Sequence, residues 1–170
     1  GGLLIVDQQR AHQRILYEQF LSNITLSQAS SQQLLFPLEL YFSKNEINII
    51  KEIKEALVHT GFVFESITSD KVVVSGLPIS VSESEASIVI DQLLSDLEEG
   101  LNVDAFSVND RIAKSMAKSL AVKTGSYLSE VEQETLINTL FSCKDATVSP
   151  FFKPTFVNIS VEELDKKFSL

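Results

Sequence analysis

The sequence predicts an α+β fold, because short strand-like segments are scattered among amphipathic helices and at least one pair of strands forms a hairpin. The chain has 170 residues, of which 44% are hydrophobic and 22% are charged, a composition typical of a globular domain with its own core. No apolar run approaches the roughly 20 residues that span a bilayer, so we expect a soluble protein without a membrane segment. The single cysteine, Cys143, excludes an internal disulfide and a cysteine-rich zinc site.

The acidic balance of the chain bears on the class of partner. The formal net charge is −9 and the isoelectric point is about 4.7. A domain that binds the phosphate backbone of DNA usually carries a basic patch and a much higher isoelectric point. We therefore expect weak, salt-sensitive contact with DNA at most, and other proteins as the main partners.

The first part of the chain predicts a strand followed by a helix. Residues 3–6 form a continuous apolar run, which indicates a strand buried on both faces. Asp7 then stands where a helix N-cap is expected. Apolar residues recur at helical spacing from Ala11 to Ile24, so the helix should run to about residue 27.

The next segment predicts a linker and a second strand. Residues 27–33 are rich in serine and glutamine, which favours a linker and a lobe boundary. Residues 34–43 alternate between apolar and polar side chains from Leu38 onward, as in a half-buried strand. Pro37 should lie at a sheet edge or near the start of this strand, because proline cannot donate to a strand ladder.

The remainder predicts helices separated by short strands. Amphipathic patterns indicate helices at about residues 45–59, 83–98, 104–123 and 129–141. Gly61 should end the first of these helices. The clearest hairpin joins two strand-like segments, 62–67 and 71–76. A last strand at 155–159 precedes a helix whose start carries the capping-box residues Ser160 and Glu163.

Several stretches of this sequence, taken in order, resemble the C-terminal domain of the MutL family of DNA mismatch-repair proteins. Residues 3–17 (LLIVDQQRAHQRILY) are similar to the family's LxxVDQHAAHERxxY opening, and residues 32–38 (QQLLFPL) to its Q-x-x-[LI]-x-P-L segment. Residues 150–170 resemble the family's RPT segment and its final LEELxxxF helix. Residues 116–123 add a partial match to its MACxxAVKA helix. With four matches in register, the chain is identified as a member of this family.

The resemblance implies a two-lobe fold in a larger protein. Residues 1–31 and 117–170 would form a discontinuous dimerisation lobe, and residues 32–116 an inserted regulatory lobe. The homodimer would hold two N-terminal ATPase domains together as a clamp on DNA. ATP and magnesium would belong to that N-terminal part, with no cofactor in this domain. Other implied partners are MutS and a helicase or nuclease, in the bacterial cytoplasm at the nucleoid.

The dimer interface should use apolar surface of the terminal lobe, because an obligate interface is large and mainly apolar. The first predicted helix is one candidate. The others lie on the first and the last predicted strand: Leu3, Leu4, Ile5, Val6, Phe156, Val157 and Ile159.

Many members of the family are metal-dependent endonucleases, and this sequence departs from their ligand motifs. The family's DQHAxxExxxxE motif keeps Asp7 and Glu18 here, but Gln9 replaces its histidine and Gln13 its first glutamate. In the helix motif, Lys118 and Ser119 replace a cysteine and its neighbour.

The C-terminal ligand motifs depart as well. Ser149, Phe151 and Lys153 replace the cysteine, histidine and arginine of the CPHGRP motif, and residues 168–170 (FSL) replace F-x-R. Zinc and catalytic metals need about four nitrogen, sulfur or oxygen ligands, so too few remain. We therefore predict no metal site, and a domain that does not cut DNA.

Simpler structural roles for these residues, and two other functions, also fit the sequence. Asp7 should act as a helix cap and Glu18 as a surface charge. His12 should lie on the helix surface or take part in packing, and Arg14 should pair with an acidic neighbour. One alternative function is a nicking endonuclease with unusual ligands: Glu18, Asp145 and Cys143. Another is an unrelated partner-binding α+β domain.

One motif of the resemblance stays intact. Gln32, Leu35 and Pro37 match the pattern by which similar proteins bind the replication sliding clamp. An extended peptide with an amide, an apolar anchor and an entropy-limiting proline suits such docking. The alternative is a linker that runs into an ordinary strand.

Overall fold

The computed structural model describes residues 1–98 and 105–169 and has the expected mixed α+β character. The predicted start of the fourth helix at about residue 104 lies outside the described residues. Among the described helices, none combines the length and the apolar character needed to cross a bilayer. The elements in chain order are β1 Gly2–Val6, α1 Gln8–Leu26, β2 Ser31–Tyr41, α2 Lys44–Thr60, β3 Val63–Ile67, β4 Lys71–Pro78, α3 Ala86–Leu97, α4 Ala105–Leu120, α5 Glu130–Ser142, β5 Phe156–Ser160 and α6 Val161–Phe168.

The chain separates into two compact units. One comprises Gly1–Glu18 with Ala121–Leu170, and the other comprises Gln19–Leu120. The first division falls within α1. The lobe boundaries at 31/32 and 116/117 stay a prediction.

In the unit formed by Gln19–Leu120, an antiparallel sheet has the strand order β2-β4-β3. The central strand β4 is the most buried, with Val72, Val74 and Leu77 fully shielded from solvent. The predicted hairpin is confirmed as β3 and β4. The apolar faces of α2 and α3 complete the core, as their helical spacing predicted.

The start and end of α2 follow from local chemistry. The Ser43 hydroxyl accepts the backbone N–H of Glu46, whose carboxylate in turn accepts the backbone N–H of Ser43. Gly61 ends the helix in the left-handed region, at φ 116°. The predicted stop at Gly61 is therefore confirmed.

The strand β2 begins earlier than predicted. It pairs with β4 from Ser31 onward, so the linker is shorter than the predicted 27–33. Long-range pairing with β4 outweighs the turn preference of the serine- and glutamine-rich segment. Because β2 is an edge strand, the edge position predicted for Pro37 is confirmed.

In the unit that contains both chain ends, β1 and β5 form a two-stranded antiparallel sheet. The capping box predicted at Ser160 and Glu163 is confirmed at the start of α6. The prediction that β1 is buried on both faces is wrong, because Leu3, Leu4 and Ile5 are each exposed by nearly half. A sheet of only two strands leaves much of the β1 surface open to solvent.

Candidate functional site

Asp7 and Arg10 organise the start of α1. The Asp7 carboxylate accepts the backbone N–H of Arg10 at 3.0 Å, so the predicted N-cap is confirmed. The Arg10 guanidinium lies 3.3 Å from the same carboxylate and donates to the carbonyl oxygen of Pro154 at 3.2 Å. Asp7 is thus bonded to an arginine and to the helix backbone, and Arg10 stands where the family has alanine.

Glu18 is held by three donors. Its carboxylate accepts the backbone N–H groups of Lys144 at 2.9 Å and Asp145 at 3.1 Å. It also pairs with Arg14 at 3.5 Å, as predicted for that arginine, and Arg14 donates through Nε to the carbonyl oxygen of Val148 at 2.7 Å. The Glu18 side chain is 21% exposed, so the predicted surface charge also serves as an acceptor within this network.

Ser149 builds the loop that replaces the family's CPHGRP motif. Its side chain is buried, and its hydroxyl accepts the backbone N–H groups of Phe151 and Lys153, each at 3.2 Å. Phe152 adopts a positive φ of 62° within this turn and is exposed. The short serine side chain therefore acts as an internal hydrogen-bond acceptor where the family has a thiolate.

The other positions of the nuclease motifs are spread over both units. The Gln9 amide oxygen accepts the Thr124 hydroxyl at 2.9 Å. Gln13 is half-buried on α1, whereas Lys118 is exposed on α4 and belongs to the other unit. At the F-x-R position, Phe168 is exposed, and residue 170 lies outside the described residues.

Among residues 1–98 and 105–169, no three His, Cys, Asp or Glu side chains are grouped in a way that could hold a metal ion. The structure does bring Cys143 close to Glu18, as the alternative ligand set requires. Burial, and then the neighbouring Glu18 carboxylate, raise the pKa of the Cys143 thiol to about 11. The thiol is therefore harder to ionise than an ordinary cysteine.

The segment that resembles a clamp-binding motif protrudes from the sheet. The pairing of β2 with β4 is interrupted between Gln33 and Leu38, so residues 34–37 lie opposite a single residue of β4. Within this bulge Leu35 is 87% exposed and Phe36 is 74% exposed. The bulge thus presents two large apolar side chains to solvent on an edge strand.

Gln32, the first residue of that motif, is bonded within the fold. Its amide nitrogen donates to the carbonyl oxygens of Val81 at 2.5 Å and Pro78 at 3.2 Å. Sequence reasoning missed both this contact and the exposure of Phe36. The contact depends on residues more than forty positions away, and no local pattern signals it.

The β1–β5 sheet carries an apolar face that is open to solvent. The register pairs Leu3 with Ile159 and Ile5 with Val157, and directly opposed residues lie on the same face. Leu3, Ile5 and Val157 are 48%, 46% and 49% exposed. All four side chains on this face are aliphatic.

The opposite face of the same sheet has a partner within the chain. Phe156 pairs with Val6 in the register and contacts Phe141 of α5, with 5.3 Å between the ring centroids. Leu4 lies on this face too, opposite Asn158. The predicted interface residues are thus divided between an all-aliphatic open face and a mixed face that α5 contacts.

Comparison with known proteins agrees with the resemblance in the sequence. The family model described as the MutL C terminal dimerisation domain matches residues 1–128. The DNA mismatch repair protein MutL of Flavobacterium psychrophilum is 66% identical over 170 residues, which is all of this chain and 28% of that protein. The protein of the same name from Parabacteroides distasonis is 36% identical over 169 residues, or 99% of this chain and 27% of that protein. The chain thus spans little more than a quarter of these relatives, and it belongs to the family of MutL C-terminal dimerisation domains.

Proposed function

We propose that this domain joins two copies of a MutL-type mismatch-repair protein through the open face of the β1–β5 sheet, and that it docks partners without cutting DNA. The observation that carries this proposal is the aliphatic face formed by Leu3, Ile5, Val157 and Ile159. Exposed aliphatic surface of this kind costs free energy in water and is stabilised when a second chain covers it. In the full-length protein, the dimer would hold two N-terminal ATPase domains at high effective concentration on DNA.

Sedimentation velocity over a series of protein concentrations tests the interface. We expect the parent domain to be a dimer and Ile5→Glu to be a monomer, because a carboxylate would be buried without a partner. Ile88→Glu is the matched control, since Ile88 is 66% exposed on α3 in the other unit. It should dimerise like the parent. An Ile5→Glu variant that dimerises with the parent's affinity would refute this interface.

The same domain would dock the sliding clamp through the β2 bulge. Leu35 and Phe36 present apolar side chains, and Pro37 limits the conformations of the segment. This part of the proposal is supported by the match of Gln32, Leu35 and Pro37 to the motif together with the protrusion of the bulge.

Binding of purified sliding clamp, measured by calorimetry, tests the docking segment. Gln32→Ala with Pro37→Ala should weaken binding, but loss of the Gln32 contacts also perturbs the sheet. Leu35→Ala is therefore the sharper variant, because its side chain is almost fully exposed and its removal spares the core. Val58→Ala, at an exposed aliphatic position of α2, is the control. Unchanged affinity in Leu35→Ala would rule out the bulge as the docking site.

The proposal that the domain does not cut DNA is supported by the contacts of the residues at the nuclease-motif positions. Two guanidinium groups, of Arg10 and Arg14, bond the two retained carboxylates, Asp7 and Glu18. Positive charge at these carboxylates opposes the binding of a cation. We propose no cofactor for this domain, and we place ATP and magnesium in the N-terminal part of the longer protein.

Metal analysis and a nicking assay test the absence of cutting. Domain purified without chelator and dialysed against trace Zn²⁺ and Mn²⁺ should retain no stoichiometric metal by plasma mass spectrometry. Supercoiled DNA should stay intact with Mn²⁺. One tightly bound zinc per chain would reveal unrecognised ligands and reopen the nuclease question, and Mn²⁺-dependent nicking that disappears in Glu18→Ala would refute the non-cutting role.

For the longer protein, we propose MutS and a helicase or nuclease as further partners, and a location in the bacterial cytoplasm at the nucleoid. The names of the relatives and the net charge of −9 support this assignment, since the charge favours protein partners over direct DNA binding.

A further inference from the structure

The helix α6 carries an apolar stripe that is open to solvent. Val161, Leu164 and Phe168 follow one another at intervals of three and four residues, which places them along one side of the helix. Val161 is 52% exposed and Phe168 is 87% exposed, and none of the eight residues of α6, all of which the structure describes, is buried. The opposite side of the helix carries the charged residues Glu163 and Lys166. The helix is therefore amphipathic, and its apolar side is not covered in the single chain.

This stripe begins at the end of the open aliphatic face of the β1–β5 sheet. The register of the sheet ends with Gly2 opposite Ser160. A Cβ placed on Gly1 would lie 3.8 Å from Cγ2 of Val161, so the next residues of the two segments remain opposed. Because alternate residues of a strand lie on the same face, Val161 extends the face that holds Ile159. The open face and the stripe on α6 thus form one continuous apolar surface.

A second copy of this chain is the occupant that the size of this surface favours. The chain belongs to a family of dimerisation domains, and a stable interface uses roughly 20–30 residues on each side. The open face of the sheet supplies four side chains, those of Leu3, Ile5, Val157 and Ile159. Because these are too few for a stable dimer, the interface must extend onto adjoining surface. The stripe adjoins the face and adds Phe168, an aromatic residue of the kind that is enriched at interfaces.

We propose that Val161, Leu164 and Phe168 of α6 complete the dimer interface, with the stripe of each copy packed against its partner. This inference rests on the proposed function, because it extends the interface assigned there to the β1–β5 sheet. Phe168 is the aromatic anchor of the stripe, and the charged side of α6 stays in water.

Sedimentation velocity over a series of protein concentrations measures the contribution of the stripe to dimer affinity. Phe168→Ala should weaken dimerisation by at least about tenfold, because a two-fold dimer contains the substitution twice and each copy loses a buried aromatic side chain. The variant should keep its fold, since the Phe168 side chain is almost fully exposed in the single chain. Lys166→Ala is the matched control, because it shortens an exposed side chain on the opposite side of α6. It should change the affinity by about twofold or less.

Photocrosslinking identifies what covers the stripe. The photoreactive residue benzoylphenylalanine in place of Phe168 should give a covalent dimer on illumination, whereas the same residue in place of Lys166 should not. Absence of a covalent dimer from position 168 would overturn this inference. Dimerisation of Phe168→Ala with the affinity of Lys166→Ala would overturn it as well.

The Ile5→Glu variant separates this inference from the proposed function. If Ile5→Glu is monomeric while Phe168→Ala dimerises like the parent, the sheet face is the interface and α6 lies outside it. A parent domain that is monomeric would overturn both the sheet interface and its extension onto α6.

Discussion

The carboxylate of Glu18 accepts the backbone N–H of Lys144 at 2.9 Å, and so connects α1 to the segment that follows α5. Arg14 holds the same carboxylate from one helical turn earlier. A glutamate that resembles a family metal ligand thus serves here as a partly buried hydrogen-bond acceptor. The contribution of Glu18 to the free energy of unfolding can be measured directly.

Glu18→Ala should lower the free energy of unfolding by about 1–3 kcal/mol, because it leaves two backbone N–H groups without their acceptor and removes the ion pair with Arg14. Urea denaturation followed by circular dichroism measures this loss. Glu134→Ala, at an exposed position of α5, should change the stability by less than about 0.5 kcal/mol. A Glu18→Ala variant as stable as the Glu134→Ala control would contradict the structural role.

His12 should make the stability of the domain sensitive to acid. Because burial lowers the pKa of His12 from 6.5, the unfolded chain binds more protons than the folded one as the pH falls below that value. The parent should therefore lose stability relative to His12→Gln as the pH falls below about 6.5, since glutamine can still accept the Val122 N–H, as Nδ1 of His12 does at 2.8 Å, but does not titrate. Above that pH the difference should be constant.

Urea denaturation of the two proteins between about pH 8 and pH 5 measures this effect. Glu132 is the other titratable group that lines the apolar groove between α1 and α5 next to His12. The same measurement on Glu132→Gln gives the contribution of Glu132 to the pH dependence. A stability difference that does not depend on pH would refute the prediction.

Gly61 should tolerate no side chain. Its φ is 116°, and a Cβ placed there would lie 2.8 Å from both the Cα of Pro78 and the carbonyl oxygen of Ser30. Gly61→Ala should destabilise the fold by about 2 kcal/mol or more, since it combines backbone strain with a clash against rigid main chain.

Gly125→Ala separates these two causes. Gly125 also has a positive φ, of 84°, but no atom lies within 4 Å of a Cβ at that position. Its substitution should cost only the conformational strain, about 1 kcal/mol. Thermal and urea denaturation measure the stability of both variants. Equal losses of stability would show that the structure around residue 61 shifts to remove the clash.

Cys143 should react slowly with alkylating reagents. With a pKa of about 11 in place of 9.0, the thiolate fraction at pH 8 is lower by about two orders of magnitude. Iodoacetamide labelling of the folded domain, followed by mass spectrometry, should be slower by at least about tenfold than labelling of the urea-unfolded chain, because the greater nucleophilicity of a high-pKa thiolate offsets part of its lower fraction. Equal rates would place the thiol in water and reopen its role as a metal ligand.

Local features of this fold could be predicted from the sequence because they depend on residues close together in the chain. The helix stop at Gly61, the capping box of Ser160 and Glu163, and the N-cap at Asp7 each involve partners within a few positions. The β3–β4 hairpin has the same origin, since its two strands are separated by a short turn.

Contacts between distant residues were decided by the tertiary structure alone. Pairing with β4 extended β2 back to Ser31, and the carbonyl oxygens of Pro78 and Val81 engaged the amide of Gln32. Glu18 likewise became an internal acceptor only because the backbone near Lys144 lies beside it.

The apolar run at residues 3–6 shows most clearly what the local sequence predicts and what the tertiary structure decides. Its residue types predict a strand, and the chain forms one at β1. Burial, however, depends on what covers the strand, and β1 has one neighbouring strand, with Leu3 and Ile5 on a face open to solvent. The sequence by itself determined the strand, the helices and the family, through short-range patterns and motifs. Only the tertiary structure decided which apolar side chains stay exposed, because exposure depends on which distant segments fold over them.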